Sequence, residues 1–233
     1  LLLVFGYPAP VAIGTDLLYA AITKAGGAIT HHRQGNVNWK IVFLLAAGSI
    51  PVSILLHAFF LDANFQESPE FESVLTFSLG IMLIVTAIIL ISRDKMRQNA
   101  IEERPEFFML SIHRHRSAVT WIMGLLLGIC VTLSSVGAGA FGAAILLTIY
   151  TQISAVKVIG TDIAHAVPLT FIAGMGYLFS GFVDMVLLVS LLIGSLPAIH
   201  IGSKLSSRVP DKILQRILTV VLLGLGGYYS LAS

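Results

Sequence analysis

The tripeptide Gly14-Thr15-Asp16 occurs twice in this chain, the second time as Gly160-Thr161-Asp162. The two copies are 146 residues apart, and the same offset aligns further identities without a gap. The identical residues are Gly35 and Gly181, Val37 and Val183, Gly48-Ser49 and Gly194-Ser195, and Pro51 and Pro197. An ungapped match of this length indicates an internal duplication, which is a common construction of membrane transporters.

The amino-acid composition is that of a membrane protein. Of the 233 residues, 56% are hydrophobic and only 11% are charged, whereas ordinary soluble domains carry roughly 25% charged residues. This composition excludes a soluble enzyme and a disordered chain. The net charge of +2 provides no field suited to nucleic acid. Because Cys130 is the single cysteine, an internal disulfide and a CxxC metal site are excluded, and we expect neither a metal nor a cofactor.

Apolar runs of about the length that a membrane requires recur along the chain. Since every backbone group in hydrocarbon must be paired internally, we predict that these runs are helices. The predicted segments are Ala12–Thr30, Val37–Leu61, Val74–Ile91, Ala118–Ser135, Ala138–Tyr150, Val158–Phe179, Val183–Ile201 and Ile213–Leu231. The chain also opens inside an apolar run, Leu1–Phe5, with no initiator methionine and no signal-peptide pattern. We therefore interpret it as lacking its true N-terminus.

Charged residues divide the chain into two transmembrane repeats. We predict the first repeat at residues 1–91, incomplete at its N-terminal end, and the second at residues 117–233. The connector between them, residues 92–116, carries six Lys and Arg residues, which predicts a cytoplasmic location. The acidic loop Asp62–Glu72 is then expected on the outer side.

The orientation of the second repeat depends on how often residues 118–150 cross the membrane. A single crossing places the basic loop with Lys204, Arg208 and Lys212 outside, against the positive-inside tendency. Two passes, with a break at the glycines of residues 137–142, place that loop inside and relate the repeats by an axis in the membrane plane. We therefore predict an all-α polytopic membrane protein with two inverted repeats of about four segments, each beginning with a broken helix or a re-entrant hairpin.

Four motifs follow one another along the chain. They are Ile13-Gly-Thr-Asp-Leu-Leu-Tyr19, His31-His-Arg-Gln-Gly-Asn-Val-Asn-Trp39, Val136-Gly-Ala-Gly-Ala-Phe-Gly142 and Gly160-Thr-Asp-Ile-Ala-His-Ala-Val-Pro168. In this order, the motifs resemble the sulfite exporter TauE/SafE family of membrane permeases, and the resemblance covers nearly the whole chain. It implies a multi-pass permease of the inner membrane that exports sulfite, sulfonates or related organosulfur anions.

The glycine-rich stretch is the first candidate for a substrate site. Gly137, Gly139 and Gly142 lie at the predicted membrane depth, where glycine relaxes a helix and lets a ligand approach the backbone. A helix restarting at Ala140 presents unpaired N–H groups and the positive end of its dipole, which can bind an oxyanion without a basic side chain. The alternative is close helix packing through small residues. The hydroxyl groups expected to complete the site are Ser134, Ser135, Thr15 and Thr161.

Asp16 and Asp162 are candidates for coupling or for tuning the charge of the site. Carboxylates inside a membrane are costly and usually mark an ion or proton path. At repeat-equivalent positions, the two side chains could meet at the axis between the repeats, or form a catalytic carboxylate pair. The alternative interpretation places each Asp in the first turn of a helix capped by Thr15 or Thr161, where the carboxylate complements the helix dipole.

Lys24 and His165 share helix faces with these carboxylates. Lys24 follows Asp16 by eight residues and His165 follows Asp162 by three, so each pair lies on one side of its helix. Lys24 either pairs with Asp16 or binds the anion directly. His165 either carries protons or forms a hydrogen bond in the core.

Three functions compete at this point. The first is a secondary transporter of small organosulfur anions, with the lipid bilayer and the anion as its partners. The second is an intramembrane hydrolase built on the two Asp residues. The third is a passive anion channel or a transporter of another small solute. Homo-oligomerisation is left open by the sequence.

Overall fold

The computed structural model describes residues 6–60, 69–99, 115–137, 139–150, 152–206 and 211–232. All regular secondary structure in these residues is α-helical. The helices are α1 (Ala9–Arg33), α2 (Trp39–Phe60), α3 (Pro69–Asn99), α4 (Arg116–Ser134), α5 (Ala140–Ile149), α6 (Ala155–Phe179), α7 (Met185–Ser206) and α8 (Asp211–Ala232). Each of the eight predicted apolar segments corresponds to one of these helices, so the predicted all-α class is confirmed.

Four of the described helices, α2, α3, α4 and α6, are long and apolar enough to cross a membrane. Helix α3 continues past the predicted boundary at residue 91 to Asn99, so the first part of the charged connector is helical. Three sequence expectations fall wholly or largely outside the described residues. They concern the opening run Leu1–Phe5, most of the acidic loop Asp62–Glu72, and the connector over residues 100–114.

Helix α5 is too short to cross the membrane. Its ten residues span about 15 Å, roughly half of the hydrocarbon thickness. The hydroxyl of Tyr150, just after α5, lies 2.8 Å from the hydroxyl of Thr120 near the start of α4. The chain therefore turns back after α4, and α5 returns beside it toward the Arg116 end. The predicted break within residues 118–150 therefore separates a long helix from a half-length one that returns toward the Arg116 end.

The most extensive helix–helix contact joins α1 and α6, which run antiparallel. Gly14, near the start of α1, lies against Tyr177 near the end of α6, and Gly27 lies against Ile163 near its start. A Cβ atom at Gly14 would overlap the Phe182 carbonyl oxygen, so only glycine permits this approach. Helix α6 also packs on α2, α4 and α5, which makes it the central helix of the described structure.

Two hydrogen bonds are exchanged reciprocally across this contact. The Thr15 hydroxyl oxygen of α1 accepts the N–H of Asp184, which follows α6, at 3.1 Å. The Thr161 hydroxyl oxygen of α6 accepts the N–H of Asn38, which follows α1, at 2.9 Å. Thus each helix holds the loop that leaves the other helix, through residues that share the 146-residue offset.

The same offset relates the bounds of the helices. Shifted by 146, α1 coincides with α6 and α2 coincides with α7, residue for residue. Gly35 after α1 and Gly181 after α6 both adopt the left-handed conformation, with φ of 71° and 79°. Such a glycine ends a helix because it carries no Cβ to clash.

Helices α2 and α4 approach closely through glycines. Gly124 and Gly128 of α4 lie against the Leu45 and Ser49 carbonyl oxygens of α2. In lipid, where apolar surface alone does not drive helices together, such small residues allow the backbone contacts that do. Fully buried leucines fill the space between α1, α2, α3, α4 and α6; they are Leu17, Leu45, Leu75, Leu127 and Leu169.

We predict that Thr15→Val and Thr161→Val each lower the stability of the folded protein. Either change leaves a loop N–H without its acceptor, which costs about 1–3 kcal/mol for a buried group. The thermal midpoint of unfolding in detergent, followed by tryptophan fluorescence, measures the effect.

Thr170→Val is the matched control. Thr170 is equally buried, but its hydroxyl donates to the Ala166 and Val167 carbonyls of its own helix, so its loss should change the midpoint little. Equal midpoints for all three variants would contradict the role given to the reciprocal bonds.

Candidate functional site

The predicted break between α4 and α5 is present. Helix α4 ends at Ser134, and Ser135 adopts a left-handed conformation with φ of 57°. Gly137 and Gly139 follow with φ of 117° and 134°, values that side chains rarely allow. Helix α5 begins at Ala140, as expected. Ala138 lies outside the described residues.

The N-terminus of α5 is capped by no side chain. The amide of Gly142 donates to the Gly137 carbonyl at 3.2 Å, and the amide of Ala143 donates to the Gly139 carbonyl at 3.2 Å. These bonds hold the glycine turn against the first turn of α5. The preceding amides and the positive end of the helix dipole lie at this point, which is the arrangement that attracts an anion.

The two serines of the break have different roles. Ser134 is buried, and its hydroxyl donates to the Cys130 carbonyl at 2.7 Å and accepts the Val136 amide at 3.2 Å. This side chain therefore closes the end of α4. The Ser135 hydroxyl donates to Asp16 Oδ2 at 2.8 Å and so ties the break to α1.

Asp162 faces the first turn of α5. Its side chain is 1% exposed, and a Cβ atom added to Gly142 would overlap its carboxylate. Asp162 Oδ1 accepts no hydrogen bond from any residue that the structure describes. Glycine at position 142 is thus what lets a carboxylate lie at the positive end of α5.

Lys24 lies between the two carboxylates. Its ammonium group interacts electrostatically with both Asp162 and Asp16. Since α1 and α6 are antiparallel, the levels of Asp16 and Asp162 differ by roughly 20 Å along the helix axes. By the same rise per residue, Lys24 is about 12 Å from the level of Asp16 and about 8 Å from that of Asp162.

This geometry corrects two interpretations of the Asp residues. The two carboxylates do not meet at the axis between the repeats, and at this separation they cannot act as a catalytic pair. They are not in first turns either, because α1 begins at Ala9 and α6 begins at Ala155. The capping residues are Pro8 and Ser154, so Thr15 and Thr161 do not cap these helices.

His165 forms a polar contact in the core, between α6 and α2, with a partner that the sequence did not indicate. Its Nε2 atom lies 2.8 Å from the hydroxyl of Ser49, and both side chains are buried. His165 Nδ1 has no hydrogen-bond partner among the described residues. The identity of Ser49 with Ser195 in the repeat was a signal for this residue, but nothing in the sequence paired it with His165.

A second polar contact crosses α2, α4 and α6 nearer the break. The Thr132 hydroxyl donates to Ser53 Oγ at 2.9 Å, and the Tyr177 hydroxyl donates to the Thr132 carbonyl at 3.0 Å. These residues carry no motif and were missed by the sequence analysis. By contrast, Thr15 and Thr161, which were expected as substrate ligands, are buried. Their hydroxyl oxygens accept hydrogen bonds from loop amides.

The described residues contain no group of three His, Cys, Asp or Glu side chains that could hold a metal ion. An apolar groove of about 470 Å³ lies between α1, α2 and α6. Its lining contains Ala25, Trp39, Phe43 and Val167 and hardly any polar surface, so it suits a hydrocarbon chain better than an anion.

Comparison with known proteins gives the family of this chain. The family model described as sulfite exporter TauE/SafE matches residues 1–229. The chain belongs to the TauE/SafE family. The probable membrane transporter protein YjnA of Bacillus subtilis (strain 168) is 36% identical over 224 residues, covering 96% of this chain and 86% of that protein. The probable membrane transporter protein YdhB of the same organism is 29% identical over 227 residues, covering 97% and 87%. No solved structure matches.

Membership in the TauE/SafE family makes this chain a multi-pass membrane transporter. The long apolar helices fit that assignment. Charged side chains and an interrupted backbone are costly inside an apolar helix bundle. The TauE/SafE protein nevertheless contains the break, Lys24 and the two carboxylates. They are therefore the candidate transport site.

The contact between Gly142 and Asp162 can be tested by a double-mutant cycle. Gly142→Ala should destabilise the TauE/SafE protein by about 1–3 kcal/mol, because the added methyl group overlaps the carboxylate. Asp162→Ala in the same chain removes the obstacle, so the two changes should be strongly non-additive. Thermal midpoints of the single and double variants give the coupling.

Gly224→Ala supplies the control for this cycle. A Cβ atom at Gly224 meets nothing within 4 Å, so its effect should add simply to that of Asp162→Ala. Additive effects of Gly142→Ala and Asp162→Ala would show that the two residues are not in contact.

Proposed function

We propose that this TauE/SafE protein is a secondary transporter that exports small organosulfur anions, such as sulfite or sulfonates, across the inner membrane. The anion binds at the break between α4 and α5, near the middle of the bilayer. The observation that carries the proposal is the combination of an uncapped helix N-terminus at Ala140 with the ammonium group of Lys24, both inside an apolar helix bundle.

The binding chemistry follows from these groups. A small oxyanion requires several hydrogen-bond donors and some positive charge. The first turn of α5 offers backbone amides and a dipole, and Lys24 offers a full charge on the neighbouring helix. The Ser135 hydroxyl lies in the same break, where it donates to Asp16. Gly137 and Gly139 keep the backbone accessible, because a side chain at either position would be strained.

Alternating access rests on two inverted repeats, which we infer from the 146-residue offset. The offset relates two pairs of helices in their bounds. It also relates the two hydrogen bonds of Thr15 and Thr161, which are exchanged between the repeats. Reciprocal contacts between antiparallel helices are what a two-fold axis in the membrane plane produces. Rocking of one repeat against the other around that axis would expose the site to each side in turn.

Sulfite efflux from vesicles tests the proposed site. Proteoliposomes loaded with radiolabelled sulfite should release it when they contain wild-type protein. Gly139→Leu should abolish most of the efflux, since leucine at φ of 134° distorts the turn and fills the space in front of α5. Efflux equal to that of wild type would remove the break from the mechanism.

Lys24→Gln should weaken sulfite binding by about tenfold or more, as expected when one charge of a buried pair is removed. Lys40→Gln is the control, because Lys40 is an exposed lysine in the first turn of α2. Binding to purified protein is measured by calorimetry. Unchanged affinity in Lys24→Gln would exclude Lys24 as a ligand or counter-charge of the anion.

A passive channel at the same site is the competing function. A carrier that rocks between two states saturates with substrate and responds to an imposed proton gradient. A channel shows a linear dependence on concentration. Initial rates of sulfite efflux over a concentration series therefore separate the two.

A further inference from the structure

We propose that Asp162 is the resident counter-anion of the transport site, and that a cargo anion binds only when the Asp162 carboxylate takes up a proton. The inference rests on the function proposed above and adds that anion binding is coupled to proton uptake. Each anion bound would bring one proton with it, so that the two enter the site together.

The first observation is the position of Asp162. Its carboxylate lies against Gly142 in the first turn of α5, where the helix dipole favours negative charge. This is the place in which the cargo anion was expected. In the structure, a carboxylate of the protein already lies beside the positive end of α5, and an incoming anion has to share or displace that contact.

The second observation is the burial of an unpaired acceptor. Asp162 is 1% exposed, and its Oδ1 atom has no donor among the described residues. Buried polar atoms are normally hydrogen-bonded. One turn further along α6, His165 Nδ1 is buried and also without a described partner. Two open hydrogen-bonding positions in one turn are what a site that receives a proton and a ligand would contain.

The third observation is the balance of charge. Lys24 is attracted to Asp162 and, more weakly, to Asp16, and Asp16 is engaged by Ser135. A cargo anion added beside ionised Asp162 would leave the site with excess negative charge in a medium of low dielectric constant, where repulsion is strong. A proton on Asp162 removes that repulsion and frees both Lys24 and the α5 N-terminus for the anion.

Among the described residues whose side chains the adjoining helices bring close to Asp162, we find no other carboxylic acid for this role. The ionisable groups that neighbouring elements bring toward Asp162 are Lys24 and His31 of α1, since the His31 ring lies against Gly160. Helix α6 itself adds Lys157 and His165. Helix α5 has no ionisable side chain, α4 has Arg116 and Cys130, and α2 has Lys40 and His57 near its ends. None of these groups is a carboxylic acid.

Proton uptake on anion binding is the decisive measurement. Methanesulfonate is the probe, because it keeps a single negative charge at all accessible pH values, whereas sulfite itself titrates. Calorimetry of the purified full-length protein in two buffers of different ionisation enthalpy gives the protons taken up per anion. Wild-type protein should take up about one, and its affinity should fall on the order of tenfold per pH unit in alkaline solution.

Two variants assign the proton to its residue. Asp162→Asn should bind methanesulfonate without proton uptake and with an affinity that no longer depends on pH. Asp16→Asn, the repeat-equivalent change, should leave the proton uptake per bound anion at about one whatever its effect on affinity, because Asp16 bonds to Ser135 and not to the proton-accepting position.

Three results would overturn the inference. Binding of methanesulfonate to wild-type protein without proton uptake would overturn the inference but leave the proposed function standing. This test needs only wild-type protein, so it is valid even if Asp162→Asn does not fold. Proton uptake that persists in Asp162→Asn but disappears in Asp16→Asn would show that Asp16, and not Asp162, takes up the proton. Wild-type protein that binds neither methanesulfonate nor sulfite would defeat the proposed function and this inference with it.

Discussion

The antiparallel contact between α1 and α6 is the interaction on which the rest of the structure depends. Gly14 and Gly160 let each helix approach the loop that follows the other, and Thr15 and Thr161 fix those loops by hydrogen bonds. In a bilayer, apolar side chains gain little by leaving lipid, so close backbone approach and interhelical hydrogen bonds must hold helices together. The contact supplies both, and it places the central helix α6 against α2, α4 and α5 as well.

The contact between α1 and α6 also determines where the charged side chains of the site lie. Because α1 and α6 are antiparallel, the two repeat-equivalent carboxylates are drawn apart, and Lys24 comes to lie between them. One carboxylate is bound by the hydroxyl of Ser135, and the other lies at the N-terminus of a half-length helix. In a low-dielectric interior an unpaired charge is very costly, so each carboxylate needs a partner of its own. The α4–α5 break is thus coupled to both halves of the chain.

The sequence predicted much of the framework and less of the site. The eight helices of the described residues and the helix start at Ala140 were predicted, because apolar length and glycine spacing act locally. The predicted meeting of Asp16 with Asp162 was wrong, and so was their placement in capped first turns. Each depends on where another helix lies. The pairing of His165 with Ser49 was missed for the same reason, since the two residues are 116 positions apart.

The sequence by itself determined that this is a helical membrane protein, that identical residues recur at an offset of 146 positions, and where its backbone is interrupted. Hydrophobicity, periodicity and glycine conformational freedom are properties of short segments and need no partner. Only the tertiary structure decided which groups share a site. It turned α5 back beside α4, set Asp162 against Gly142, and directed the Thr15 and Thr161 hydroxyls to loop amides. Those outcomes follow from helix crossings and close contacts between segments that are distant in the chain. Such pairwise contacts cannot be read from the sequence.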